Sequence, residues 1–330
     1  MAKKTSIGGQ ALIEGIMMKG PHKTVMAVRK KNGEINLTDV KEKHLKDKFS
    51  FFGLPVIRGT VNLIEAMISG YKAIMSSAEI SGFTDLEESC DEKAIETENA
   101  LSKETSNQKK ESESNVMSNA VTIIGTVLGV ALAVVLFMYL PTLVFKGIDY
   151  IIPYDLKYLK GLIEGIIKIA IFISYIAVVS LEKDIKRVFM YHGAEHKTIF
   201  CYENDTDLTV ENVKKFARLH PRCGTSFMFL MMAVGILISS ILVVVLPDFI
   251  ITRNYIWVPI KILLIPLTCG IGYEILKICG NYENTFTKII AAPGLWVQRL
   301  TTKEPDDKMI EIAIAAMKEV IPNDGSDEIT

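Results

Sequence analysis

Ser226-Phe-Met-Phe-Leu-Met-Met-Ala-Val-Gly-Ile-Leu-Ile-Ser-Ser-Ile-Leu-Val-Val-Val-Leu246 contains no charged side chain. A helix needs about 20 predominantly apolar residues to cross the hydrocarbon of a bilayer, where each backbone polar group must find its partner within the helix. This run, read through to Ile251, is one of four that reach that length. The others extend from about Val121 to Phe145, Gly161 to Leu181 and Tyr255 to Cys279. In the second, Glu164 and Lys168 lie i, i+4 near one end, where they can pair and snorkel. In the last, Lys261 and Glu274 sit near opposite ends.

The composition agrees with segregated apolar and polar parts: 49% hydrophobic residues and a mean hydropathy of +0.28 accompany 23% charge. A net charge of −1 gives no electrostatic basis for nucleic-acid binding. The five cysteines show no secreted-domain spacing, and Cys269 and Cys279 lie in an apolar run, so no disulfide framework is expected. Met-Ala-Lys-Lys-Thr-Ser at the start has no apolar core behind it, which argues against a cleavable signal peptide. Basic residues concentrate between spans two and three, at Lys183, Lys186, Arg187, Lys197, Lys214, Lys215, Arg218 and Arg222, whereas Arg253 stands alone between spans three and four. The first hairpin carries Lys146, Lys157 and Lys160, and both termini are rich in lysine. The positive-inside rule therefore puts the termini and the second loop in the cytoplasm.

The expected fold is an α-helical polytopic membrane protein with four transmembrane helices and a small cytosolic α+β unit made from the N- and C-terminal segments. Residues 1–80 comprise a β-hairpin and an amphipathic helix. Thr24–Arg29 and Glu34–Asp39 flank Asn32-Gly33, a strong hairpin signal. Val61, Ile64, Met67, Ile68 and Tyr71 recur with helical period, so that helix either lies on the membrane surface or packs on the hairpin. The glycine-rich Gly8–Gly15 follows no predicted strand and matches no phosphate loop. Residues 81–119, rich in Glu, Ser, Asn and Lys, read as a disordered polar linker. The membrane domain covers 120–281 with a functional loop at 182–225, and 282–330 form a C-terminal cytosolic segment. Its helix, with Met309, Ile312, Ala313, Ala316 and Met317 on one face, is expected to pack on the N-terminal unit.

The second loop carries the chemistry. Tyr191-His192-Gly-Ala-Glu195-His196-Lys197 places two of the chain's five histidines four residues apart. Ile185, Val188, Phe189, His192, His196 and Ile199 share one helical face, so both imidazoles lie on the inward stripe, about 40° apart. Two neutral imidazoles on an ion with a carboxylate beside them are the needs of metal-assisted hydrolysis, and inverse-order zinc peptidases carry His-x-x-Glu-His. Cys201 falls on the far face and is excluded as a ligand. Glu203 returns to the right face but lies roughly 10 Å along the axis from His196. It would reach the same ion only if the helix broke.

A second half stands in His220-Pro221-Arg222-Cys223-Gly224, just before span three. Spans two and three are antiparallel neighbours, which brings His220 and Cys223 toward His192 and His196. Three nitrogens and a thiolate suit tetrahedral Zn2+. The ligand set expected is thus His192, His196, His220 and Cys223. Glu195 is either a general base or a partner that fixes a histidine tautomer. Glu274, near the inner end of span four, is a further carboxylate that could instead pair with Lys277.

Several motifs together resemble the bacterial membrane family DUF1385, or YqhQ family, often labelled a predicted metal-dependent enzyme. They include Gly8-Gly9-Gln10-Ala-Leu-Ile-Glu14-Gly15, Pro55-Val-Ile-Arg58-Gly59, His192-Gly-Ala-Glu195-His196-Lys197, Cys201-Tyr202-Glu203 and His220-Pro-Arg-Cys223-Gly224-Thr225-Ser226. Gly272-Tyr273-Glu274 and Pro293-Gly-Leu-Trp296 through Pro305 extend the likeness over nearly the whole chain, the tether apart. The resemblance implies a bacterial inner (plasma) membrane location and adds little about a reaction. The leading expectation is a metal-dependent hydrolase at the membrane interface, with the lipid bilayer as partner and a membrane protein or lipid-linked molecule as substrate. The alternative is a scaffold, in which zinc staples spans two and three and the cytosolic unit serves membrane-protein biogenesis. A transporter fits worst, because charge within the spans is sparse and no inverted repeat is evident.

Overall fold

The computed structural model describes residues 3–41, 50–83, 124–281 and 284–328. The expected linker lies outside them from residue 84 onward. The chain divides into two compact units, one made of residues 1–85, 173–235 and 264–330, the other of 86–172 and 236–263. Each is assembled from separated pieces of sequence.

The first unit is built on a four-stranded antiparallel sheet in the order β1 (Gly8–Leu12), β2 (Gly15–Lys19), β3 (Thr24–Arg29) and β4 (Ile35–Asp39). The Asn32-Gly33 hairpin forms, with Gly33 at φ 88° in the conformation that glycine favours. The glycine-rich run before it, for which the sequence pattern assigns no element, supplies β1 and the start of β2. Glycine has low intrinsic strand preference, and pairing with a buried neighbour overrides it here. Alternate side chains leave the sheet in opposite directions. Ile16, Met18, Val25 and Ala27 join a core with α4 (Lys183–Glu203) and α11 (Asp307–Val320). Leu12, Met17, Met26 and Val28 pack with Ala73 of α1 (Ile57–Ser81) on the other side.

Helix α11 starts where Asp306 accepts the Met309 N–H at 2.8 Å and buries Met309, Ile310, Ile312, Ala313, Ala316 and Met317. Each large side chain among these contributes on the order of 1.5–3 kcal/mol by leaving water. Helix α1 also packs against α9 (Ile265–Asn281), so closely that a Cβ on Gly59 would lie 2.6 Å from Tyr273 Cβ and 3.0 Å from Gly270 Cα. Glu274 of α9 takes Arg58 in a two-point ion pair, with Nε to Oε1 at 2.7 Å, where the sequence offers Lys277 as the alternative to a role at the site.

Among the described residues, three helices are long and apolar enough to cross a membrane: α2 (Ile124–Ile151), the stretch Lys157–Val179 that contains α3 (Lys160–Val179), and α6 (Gly224–Val245). After the short α7 (Asp248–Thr252), a broken pair, α8 (Asn254–Leu263) and α9 through Cys279, passes the same test jointly and gives up to four. The segment after span two is a separate helix. Helix α3 ends at Val179, and Glu182 caps α4 by accepting the N–H groups of Asp184 and Ile185 at 2.6 and 3.1 Å. In the second unit Glu164 does not find Lys168. It pairs with Lys261 of α8 and accepts the Trp257 indole N–H at 3.3 Å, while Lys160 donates to the Ile251 carbonyl.

Candidate metal centre

Helix α4 presents His192, Glu195 and His196 toward β1 and toward the turn before α6. The short helix α5 (Val210–Val213) and the segment after it run back along α4, held where Lys197 donates to the Lys214 carbonyl at 3.0 Å. This puts the Arg218 carbonyl 2.6 Å from His196 Nδ1. On the other side α10 (Thr285–Thr301) ends at a strap whose Lys303 N–H donates to the Phe189 carbonyl at 2.8 Å. Its Thr301 carbonyl lies 2.9 Å from His192 Nδ1. A carbonyl only accepts, so each imidazole carries its proton on Nδ1 and leaves the Nε2 lone pair free.

Those lone pairs converge. One donor atom each from His192, His196 and Cys223 lies within 4.8 Å of the others, with His192 Nε2 3.2 Å from Cys223 Sγ. Around a tetrahedral zinc with bonds of about 2.0 Å to nitrogen and 2.3 Å to sulfur, such pairs stand roughly 3.5 Å apart. His196 Nε2 is buried and has no hydrogen-bond partner among the described residues. A buried nitrogen left unpaired is costly, and a cation between the three donors would satisfy it. The residues fit a metal ion.

His220, expected as the fourth ligand, lines the cavity beside these donors, but both its ring nitrogens have partners outside the cluster. Its Nδ1 accepts the Arg222 N–H at 3.3 Å, so its proton sits on Nε2, which faces Glu203 Oε2 at 3.4 Å. Burial lowers the His220 pKa below the usual imidazole range, against the raising influence of Glu203. Helix α4 runs unbroken to Glu203, which serves the turn and stays off the cluster. Glu203 takes the Thr5 N–H at 3.0 Å and pairs with Arg222. Burial alone would raise this carboxyl; the bonds from His220 and Thr5 and the Arg222 charge carry it below the ordinary range. Cys201 is buried on the far side of α4, with its thiol against the carbonyls of Thr206 and Asp207.

Glu195 shares a cavity of about 360 Å³ with His192, His196 and Cys223. Burial pushes its pKa up to about 6, opposed by His192 and by the Gly9 N–H, and its Oε2 has no partner among the described residues. Gly9 is dictated by this approach, because a Cβ there would lie 2.9 Å from the Glu195 carboxyl carbon. Glu14 stays away from the cluster and holds Arg187 of α4, with Nη2 to Oε2 at 2.6 Å.

A family model described as "Protein of unknown function (DUF1385)" matches residues 54–323. The chain belongs to the DUF1385 family. It is 32% identical over 317 residues to "Uncharacterized protein YqhQ" of Bacillus subtilis (strain 168), an alignment covering 95% of this chain and 92% of that relative. No solved structure matches. The family model spans every residue of the His/His/Cys cluster.

One supporting residue carries no obvious sequence signal. Gln298 of α10 is fully buried, accepts the His220 N–H at 2.8 Å and donates to the His220 carbonyl at 2.8 Å. It thereby fixes the turn that delivers Cys223. Its one mark in the sequence is its place in the Pro293–Pro305 stretch, which is part of the family resemblance.

Proposed function

We propose that the chain is an integral membrane protein whose cytosol-facing centre holds zinc through His192, His196 and Cys223 and hydrolyses a substrate at the membrane interface. The membrane reading is supported by helices whose large apolar side chains stand exposed, such as Leu237, Val244 and Val245 on α6 at 64, 66 and 71%. Patches of that extent require a lipid or protein cover. The orientation follows from the basic residues of the second loop.

The observation that carries the catalytic reading is the donor count. Three protein ligands converge on a cavity, and the fourth candidate, His220, is committed to Glu203 and Arg222. Structural zinc sites are closed by four protein ligands, whereas catalytic ones keep a position open. Zinc bound there would supply Lewis acidity toward a substrate oxygen. Glu195 Oε2 is the acceptor placed to take a proton from water in the cavity and to return it to the leaving group. Two neutral imidazoles, one thiolate and one carboxylate also bring two negative charges to a divalent cation. The staple reading loses ground because the His220–Cys223 turn is already tied down by Gln298 and Glu203.

Cobalt substitution of the purified full-length protein tests this without a known substrate. One cobalt per chain, with thiolate-to-cobalt charge transfer and visible bands that shift on adding acetohydroxamate, is expected. Glu195→Gln should keep the cobalt. A spectrum indifferent to acetohydroxamate would mean a closed, structural site and would end the hydrolase proposal.

A further inference from the structure

The cavity beside the metal centre is lined by five consecutive residues of the N-terminal segment, Ile7 to Ala11. Neighbouring residues of a strand project to opposite faces, so a cavity over one face would meet only alternate ones. Contact with all five places it along the strand's edge. Strand β1 is the terminal strand of the sheet, bonded only to β2. Gly8, Gly9, Gln10 and Ala11 stay at least partly accessible, whereas β2 and β3 are almost wholly buried. The Gln10 side chain lies against Gly70 of α1, so it is not what fills this edge.

The hydrogen-bonding groups on that edge follow from the register. Leu12 pairs with Gly15 across a two-residue loop, which makes Leu12–Gly15, Gln10–Met17 and Gly8–Lys19 the bonded pairs. Gly9 and Ala11 then turn their N–H and C=O groups away from β2. The Gly9 N–H lies at Glu195. The Gly9 carbonyl and both Ala11 groups have no partner among the described residues. An accessible strand edge with unmet backbone groups is the template for adding a further strand.

We infer that this edge binds an extended polypeptide segment, which pairs with the Gly9 carbonyl and with both backbone groups of Ala11 and so lays a backbone amide beside Glu195 and the His192–His196–Cys223 cluster. The substrate class is then a peptide rather than a lipid-linked molecule. Its hydrolysis breaks the C–N bond, joins the hydroxyl of water to the carbonyl carbon and gives the proton to the leaving amine. The chemistry rests on the metal-centre reading; the binding geometry rests on β1.

The test compares ligands on the cobalt-loaded full-length protein: acetohydroxamate, a random hexapeptide pool ending in a hydroxamate, and the same pool methylated at alternate backbone nitrogens. Peptide hydroxamates should bind at least tenfold tighter than acetohydroxamate, and methylation should remove that gain. Ala11→Pro deletes one outward N–H at an edge position that tolerates proline, and should also remove the gain while acetohydroxamate binds as before. Should that variant fold poorly, the methylation comparison on the unaltered protein decides. A gain that survives methylation or Ala11→Pro, no gain at all, or a gain conferred by a fatty-acyl hydroxamate instead would overturn the inference. Binding of acetohydroxamate without a peptide gain would leave the metal centre standing and remove only the peptide.

Discussion

Gln298→Ala is expected to detach Cys223 from the metal centre without touching a ligand. The amide makes two bonds of 2.8 Å to the N–H and C=O of His220 in a fully buried position, and a weaker one of 3.3 Å to Ser226 Oγ. Removing it orphans two buried backbone groups, and each such group costs about 1–3 kcal/mol. The total is roughly 2–6 kcal/mol if the turn stays in place. The turn has a cheaper course, which is to swing toward water and take Cys223, three residues on, away from His192. Loss of such supporting contacts typically lowers metal affinity about 10–100-fold. Chelator competition for zinc and thermal unfolding of the metal-free protein, both in detergent, separate the two courses. A large affinity loss with modest destabilisation is expected. Gln298→Glu should behave similarly, because it keeps an acceptor for the N–H but sets an oxygen against the His220 carbonyl. Zinc affinity within twofold of the parent, together with an unchanged melting temperature, would refute the clamp.

Three further outcomes follow from contacts described above. His220→Ala should retain one zinc per chain with weakened affinity, whereas His192→Ala, His196→Ala and Cys223→Ala should each lose it, as read by metal analysis after gel filtration. Gly193→Ala would set a Cβ onto the Lys303 carbonyl, against backbone that cannot rotate aside, and should cost about 2–4 kcal/mol in denaturant unfolding. Gly9→Ala should cost about 1–3 kcal/mol and displace the Glu195 carboxyl, so the cobalt-loaded variant should respond less to acetohydroxamate than the parent.

The parts of this fold that can be read from the sequence are those set by periodic burial. The apolar runs, the Asn32-Gly33 hairpin, α1 and α11 all announce themselves through spacing, because each must hide one face or all faces from water. The same reasoning puts His192 and His196 on one stripe and brings Cys223 to them through the antiparallel run of neighbouring helices. It fails at β1, where Gly8 and Gly9 have no side chains to alternate and the strand exists only because β2 pairs with it. It fails also for Glu164, whose partner Lys261 is distant in sequence, so the nearer Lys168 looked sufficient.

His220 shows most directly why the donor set could not be settled from spacing. Its position beside Cys223 is as suggestive as that of His192 beside His196, yet a histidine's role is fixed by which nitrogen holds the proton. Here the Arg222 N–H takes Nδ1, and the carbonyls of Thr301 and Arg218 take the Nδ1 protons of the other two. All three determinants are backbone groups, which nearly every residue possesses and no sequence pattern marks. Both candidate imidazoles are oriented by carbonyls, and the Cys223 turn is held by Gln298, so each of the three donors is held by contacts within the protein. On the proposed reading, a site held in that way would have little need of metal as a fastener, and an ion there would be free to act on whatever occupies the cavity beside Glu195.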